Sequence, residues 1–232
     1  MPKTTLIFGS IGTVMETSDI QRRAYNQALK EAGLHWDWSP EIYSELLNQS
    51  GGQERLAMLA AATGAKLSTQ QIEGIHARKT QIACDELAST PTPLRPGVAE
   101  LLTWAKANHI KLAFVTTTYQ PNIDAIFRSA NGALCASDFD YVGTRASVAH
   151  GKPSPEAYLT ALKHLGIAAD QAVAIEDTAA SVMSAKRAGV QVVATPGKLS
   201  GGQDLWQADM VCSSLLDSGG NIDSRVLALL GG

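Results

Sequence analysis

The chain has 232 residues, 45% apolar and 18% charged, with 19 basic against 22 acidic side chains and a net charge of −3. This length suits one large α/β domain or a domain carrying an insertion, with interior enough to fold without covalent staples. The cations are scattered rather than clustered, which excludes a nucleic-acid partner held through its phosphates.

An apolar strand is predicted over residues 4–8, and it runs into the Gly-Thr turn of "GSIGTVMET". From residue 18 to 89 no strand pattern occurs. "SDIQRRAYNQALKEAGL" sets Ile20, Ala24, Ala28 and Leu29 at helical spacing and stops at Gly33. "SPEIYSELL" opens with a Ser N-cap and a proline at the first helical position. "QERLAMLAAATG" and "STQQIEGIHARKTQIACDELA" read as two further helices. Residues 17–91 are therefore expected to form a helical domain inserted after the first strand. Residues 1–16 and 92–232 form the core.

Pro91, Pro93 and Pro96 make a stiff connector back to that core. Beyond it helices alternate with apolar strands at 110–116, 139–143, 171–177, 190–195 and 208–213, and a short closing helix ends the chain. Nearly continuous apolar strands suit a doubly wound parallel sheet buried on both faces, so the fold class is α/β. Cys84, Cys135 and Cys212 lie far apart with no C-x-x-C, which fits free thiols in a reducing compartment. The first apolar run is too short for a signal core, and no stretch approaches the ~20 apolar residues of a membrane span. A cytoplasmic protein with no membrane partner is expected.

In such a sheet the ligand lies at the carboxyl ends of the strands. The residues falling there are "GSIGT" after the first strand, Thr116, Thr117 and Thr118 after the second, Lys152 in "HGKPSP", and Glu176 with Asp177. Singly these are bland: a loop lysine is usually a solvated charge, and an acidic pair before a helix is usually a cap. Together, hydroxyls, one lysine and two carboxylates suit a phosphate with a divalent cation.

The segments "LIFGSIGTVMET", "VTTT", "GKPSPEAY" and "AIEDTAASVMSAKRAGV" resemble, in order and spacing, the four motifs of the haloacid dehalogenase-like superfamily. The subgroup most resembled is that of phosphoglycolate phosphatase and β-phosphoglucomutase, and the resemblance runs essentially the whole length. It implies a Rossmann-like core with a helical cap, magnesium as cofactor, and a phosphate ion or small phosphorylated metabolite as ligand. The family's first motif is Asp-x-Asp-Gly-Thr, whose aspartates are the nucleophile and the acid/base. Here Gly9 and Ile11 stand at those positions, while Gly12 and Thr13 match. By the same carry-over Thr116, with Thr117 beside it, holds the phosphate, and Lys152 neutralises phosphate and nucleophile. Asp177 and Glu176 fall at the metal position. In the cap, "GGQERL" resembles the specificity segment, placing Arg55 and Gln53 toward substrate, with Gln53 where a lysine is common.

The resulting expectation is a monomeric pseudoenzyme that has lost standard phosphatase catalysis, holds magnesium weakly or not at all, and binds a phosphorylated ligand or a partner. The alternative is an active magnesium-dependent phosphatase or phosphomutase with a rearranged site. Strand alternation turns Ser10 away from the site. Lys152 is expected to pair with Asp177, and aspartates introduced together at positions 9 and 11 are expected to create magnesium-dependent phosphatase activity, with either single change doing much less.

Overall fold

The structure, a computed structural model, describes residues 3–231. Its strands are β1 (Thr5–Phe8), β2 (Lys111–Val115), β3 (Tyr141–Gly143), β4 (Ala172–Glu176), β5 (Gln191–Ala194) and β6 (Met210–Val211). All pair in parallel, in the order β3-β2-β1-β4-β5-β6. Apart from Thr5, Lys111, Glu176 and Gln191 at their ends, strands β1, β2, β4 and β5 are apolar because both faces are covered. Leu6, Phe8, Phe114 and Ile175 enter one core, and Ile7, Val115, Ala174 and Val192 the other. The sheet is the doubly wound α/β one expected. Phe8 lies opposite Phe114 on one side and Ile175 on the other, so β1, β2 and β4 end side by side.

Between β1 and the remaining strands come α1 (Ser18–Glu31), α2 (Pro40–Leu46), α3 (Gly52–Thr63) and α4 (Thr69–Ser89). The side chain of Ser39 caps α2, and Ser68 with Gln71 forms a capping box on α4. Trp38 is buried with its ring 4.6 Å from that of Tyr25 and 5.9 Å from that of Tyr43. These aromatics, with Leu29, Leu56 and Ile75, form a third core, joined by Leu199 from beyond β5.

The chain enters and leaves this helical segment along one seam. Met15 and Leu94 form an antiparallel bridge, and the Arg95 amide donates to the Val14 carbonyl at 2.9 Å. The Arg95 guanidinium donates to the carbonyls of Gly12, Thr195 (2.7 Å) and Pro196 (2.8 Å). The turn after β1 is thereby tied to the loop after β5.

The core helices are α5 (Val98–Ala107), α6 (Gln120–Ser129), α7 (Glu156–Leu165), α8 (Ala179–Arg187) and α9 (Ser224–Leu230). No helix among the described residues is long and apolar enough to cross a membrane.

Gly97 precedes α5 with φ +90°, and a Cβ there would lie 2.5 Å from Leu215 Cβ and 3.1 Å from its carbonyl carbon. Gly97→Ala combines left-handed strain with overpacking, so it should lower the unfolding free energy by about 2–4 kcal/mol. Urea titration of the two proteins checks this; equal midpoints would refute it.

Candidate active site

The strand ends build a floor. β1 stops at Phe8 and the chain turns at once: the amides of Thr13 and Val14 donate to the Ser10 carbonyl at 3.1 and 2.9 Å. Strand alternation therefore does not extend to Ser10. Its hydroxyl lies 2.8 Å from Thr116 Oγ1 and lines the cleft, contrary to the expectation that it points away. Thr116 Oγ1 also accepts from the Thr118 amide at 3.1 Å, which fixes the threonine run. Thr117 lines the same cleft.

Lys152 donates to the Val115 carbonyl at 3.2 Å and to Glu176 Oε1, which also accepts from the Tyr158 hydroxyl. The lysine is thus paired with Glu176, not with Asp177 as expected. Consecutive side chains at a strand end diverge. Glu176 reaches toward Lys152, while Asp177 turns to the Gly-Thr turn, where its Oδ1 accepts from Thr13 Oγ1 at 3.1 Å and its Oδ2 packs on Gly12. Burial, then the neighbouring Glu176 charge, pushes the Asp177 carboxyl up to about 8, so it is largely protonated at neutral pH. Gly12 and Thr13 lie against the two carboxylates and are not among the residues lining the cleft, unlike Thr116, Thr117 and Arg55.

Gly9 brings no side chain, and its close surroundings explain why none fits. A Cβ at residue 9 would lie 2.7 Å from Thr13 Oγ1, 2.9 Å from Glu176 Cδ, and closer still to Glu176 Oε2. An aspartate therefore does not fit at position 9 while Glu176 stays where it is. Ile11 lines the cleft with an apolar side chain.

Among the described residues no three or more His, Cys, Asp or Glu side chains gather as metal ligands. Glu176 is engaged by a lysine and a tyrosine, and Asp177 by Thr13. The magnesium ion that the sequence resemblance implies finds no side-chain oxygen at residue 9 or 11, where glycine and isoleucine stand, and no third carboxylate among the described residues joins Glu176 and Asp177, so this donor set does not fit it.

Helices α1, α3 and α4 roof a cleft enclosing about 160 Å³ above this floor. Lys79 of α4 is 5% exposed, donates to the side-chain carbonyl of Gln21, and stands 4.8 Å from the centre of the Tyr25 ring. Among the described residues it has no carboxylate partner within ion-pair distance. Burial, then repulsion from Arg55, lowers its pKa to about 7. Burial with the charges of Lys79 and Arg55 lowers His76 to about 3, so that imidazole stays neutral. The Tyr25 hydroxyl is buried without a hydrogen-bond partner.

Arg55 lines the cleft, but its guanidinium donates to the carbonyls of Leu46 (2.8 Å) and Gln49 (3.1 Å) and packs on the Tyr43 ring. It contributes positive potential more than a free fork. Gln53 does not face the cleft: it lies in an outer groove with Thr80, Cys84 and Arg128. Two residues of helix turn side chains about 200° apart, so Gln53 and Arg55 face opposite ways.

Sequence reasoning missed Lys79, Gln21 and Tyr25. The available signal was that His76, Lys79 and Thr80 interrupt the stripe carrying Ile75, Ala83 and Leu87, a polar intrusion on a face that should be apolar. His150 is an ordinary exposed loop residue, held by Glu156.

Comparison with known proteins gives concordant results. The family model described as haloacid dehalogenase-like hydrolase matches residues 4–189. Protein CbbY of Rhodobacter capsulatus is 38% identical over 209 residues, covering 90% of this chain and 92% of that one. A crystal structure of mutant CbbY from Rhodobacter sphaeroides in complex with xylulose-(1,5)bisphosphate superposes with a TM-score of 0.86 at 34% identity, covering 96% of this chain and all of that one. The same protein in complex with phosphate gives a TM-score of 0.86 at 34% identity, covering 95% and 99%.

The two shifted groups act on stability in opposite directions. Lys79 is depressed from 10.5 to about 7, so the unfolded chain holds the extra proton between those values. Its contribution is full above 10.5 and is lost as pH falls toward 7. Asp177 is raised from 3.8 to about 8, so its contribution is full below 3.8 and lost as pH rises toward 8. Between pH 8 and 10 the Lys79 effect stands alone of the two. Urea-unfolding free energy should rise across that window by on the order of 1–3 kcal/mol more in the wild type than in Lys79→Met. Parallel pH profiles would show that Lys79 is not so perturbed.

Proposed function

The chain belongs to the haloacid dehalogenase-like hydrolase family, and on that footing we propose that it hydrolyses a small phosphorylated sugar in the cleft between the strand ends and helices α1, α3 and α4. The observation that carries this reading is a cleft lined by two lysines from different layers of the fold, Lys152 from the strand ends and Lys79 from the helices above them. Two separated cations suit a ligand that is anionic at both ends, such as a sugar bisphosphate. The xylulose-(1,5)bisphosphate and phosphate complexes of CbbY support the same substrate class.

In this reading the reacting phosphoryl group lies against the hydroxyls of Ser10, Thr116 and Thr117, with Lys152 neutralising charge that builds on its oxygens. The sugar hydroxyls meet the amides of Gln21 and Asn122, which line the cleft. Residues 17–91 act as a cap that keeps water from the reacting group, and Lys79 holds the far anionic end. Three unpaired cysteines support a reducing, cytoplasmic setting.

A second reading, a binder of phosphorylated sugars without turnover, is favoured by one specific observation: Gly9 and Ile11 replace both aspartates of the family's first motif. Phosphate release from a panel of sugar mono- and bisphosphates in magnesium-containing buffer, with calorimetric binding alongside, separates the two. The hydrolase reading expects turnover, with bisphosphates preferred. Lys152→Met should lower kcat/KM at least 100-fold. Lys79→Met should raise KM about tenfold with little change in kcat. Tight binding without release would favour the binder, and neither binding nor release would refute both.

A further inference from the structure

We propose that Glu176 is the nucleophile of this site, its carboxylate standing in for the side chain that residue 9 lacks. The inference rests on the hydrolase reading above.

Gly9 leaves open the space where the family's attacking carboxylate is rooted. Glu176 fills that space from the neighbouring strand: its Oε2 and Cδ lie against the position of a residue-9 Cβ, the latter at 2.9 Å. The two oxygens of this carboxylate have different duties. Oε1 accepts from Lys152 and from the Tyr158 hydroxyl, which anchors the group. Oε2 has only the Thr13 hydroxyl, at 3.4 Å, and so keeps lone pairs free. Glu176 lines the cleft alongside Lys152, Ser10 and Thr116. A nucleophile beside a lysine and a row of hydroxyls is what a phosphoryl group entering that floor would meet.

The other candidates are engaged elsewhere. Glu16 accepts from the amides of Ser18 and Lys198, at 3.0 and 2.6 Å. Asp177 is turned onto Gly12 and Thr13, and Ser10 faces Thr116 with no base in contact.

The chemistry balances with water alone. Glu176 Oε2 forms a bond to phosphorus, and the bond from phosphorus to the sugar oxygen breaks with its electron pair on that oxygen. The sugar oxygen takes a proton from a cleft water, leaving hydroxide. Hydroxide then attacks phosphorus, the bond from phosphorus to Oε2 breaks, and hydrogen phosphate leaves with the carboxylate restored. One water is consumed per ester.

The test traps the acyl phosphate in the wild-type protein, so it does not depend on a variant that folds. During turnover of a sugar bisphosphate the protein is quenched with borohydride, which reduces an acyl phosphate to an alcohol, and is mapped by peptide mass spectrometry. Reduction at residue 176 is expected. Glu176→Gln, which keeps the shape and the Tyr158 contact, should lose at least 100-fold in phosphate release while still binding the bisphosphate. Turnover with the modification at another residue, with no modification at 176, or with activity retained in Glu176→Gln, would overturn this inference and leave the hydrolase reading standing. No turnover by the wild type would overturn both.

Discussion

Taking Lys152 and Glu176 out of water costs several kcal/mol for each ion, and the floor of the cleft is organised around meeting that cost. The pair forms between side chains that are 5% and 1% exposed. It holds because every nearby group serves it. Val115 offers its carbonyl to the lysine, Tyr158 its hydroxyl to the carboxylate, and the Tyr158 ring lies 5.2 Å from the ammonium. Removing either ion would leave the other buried and uncompensated, which is far more damaging than the loss of a surface pair.

Much of the site follows from that pair. Asp177 is buried and sits next to Glu176, and burial, then the Glu176 charge, pushes its carboxyl up to about 8 as it turns onto the Gly-Thr turn. With residue 9 a glycine, the Glu176 carboxylate moves into space that a side chain would have closed. The roof repeats the theme with opposite sign. Lys79 is buried among Gln21, Tyr25, His76 and Arg55 with no described carboxylate at ion-pair distance, and burial with Arg55 lowers its pKa to about 7. An anionic ligand would raise it again. Such a buried cation is a cost to folding that binding repays, which is how functional sites commonly depart from the rules of a packed core.

The strands, their parallel sense and the helices between β1 and α5 were legible from continuous apolar runs, periodicity, caps and the proline connector; the order of the strands in the sheet was not, because it depends on contacts far apart in the chain. The floor was legible in part: Thr116, Thr117, Lys152 and Glu176 do converge on one cleft. The pairing of Lys152 was not, since which of two adjacent carboxylates faces a lysine depends on where a strand ends. The orientation of Ser10 failed for the same reason, as the turn begins one residue before alternation would have decided it. Gln53 and Arg55 were read as one motif, but a helix separates their faces. Lys79 was invisible because one lysine in a polar helix carries no pattern of its own; only its register with Ile75 and Leu87 marks it.

If the floor built on Lys152 and Glu176 receives a phosphoryl group, it should also hold a tetrahedral oxyanion. Crystals grown with tungstate, whose tungsten is located by anomalous diffraction, test it most directly. A peak is expected in the cleft, with oxygens within hydrogen-bond reach of Lys152 Nζ and Thr116 Oγ1. An empty floor, or tungstate bound only on the outer surface, would contradict it.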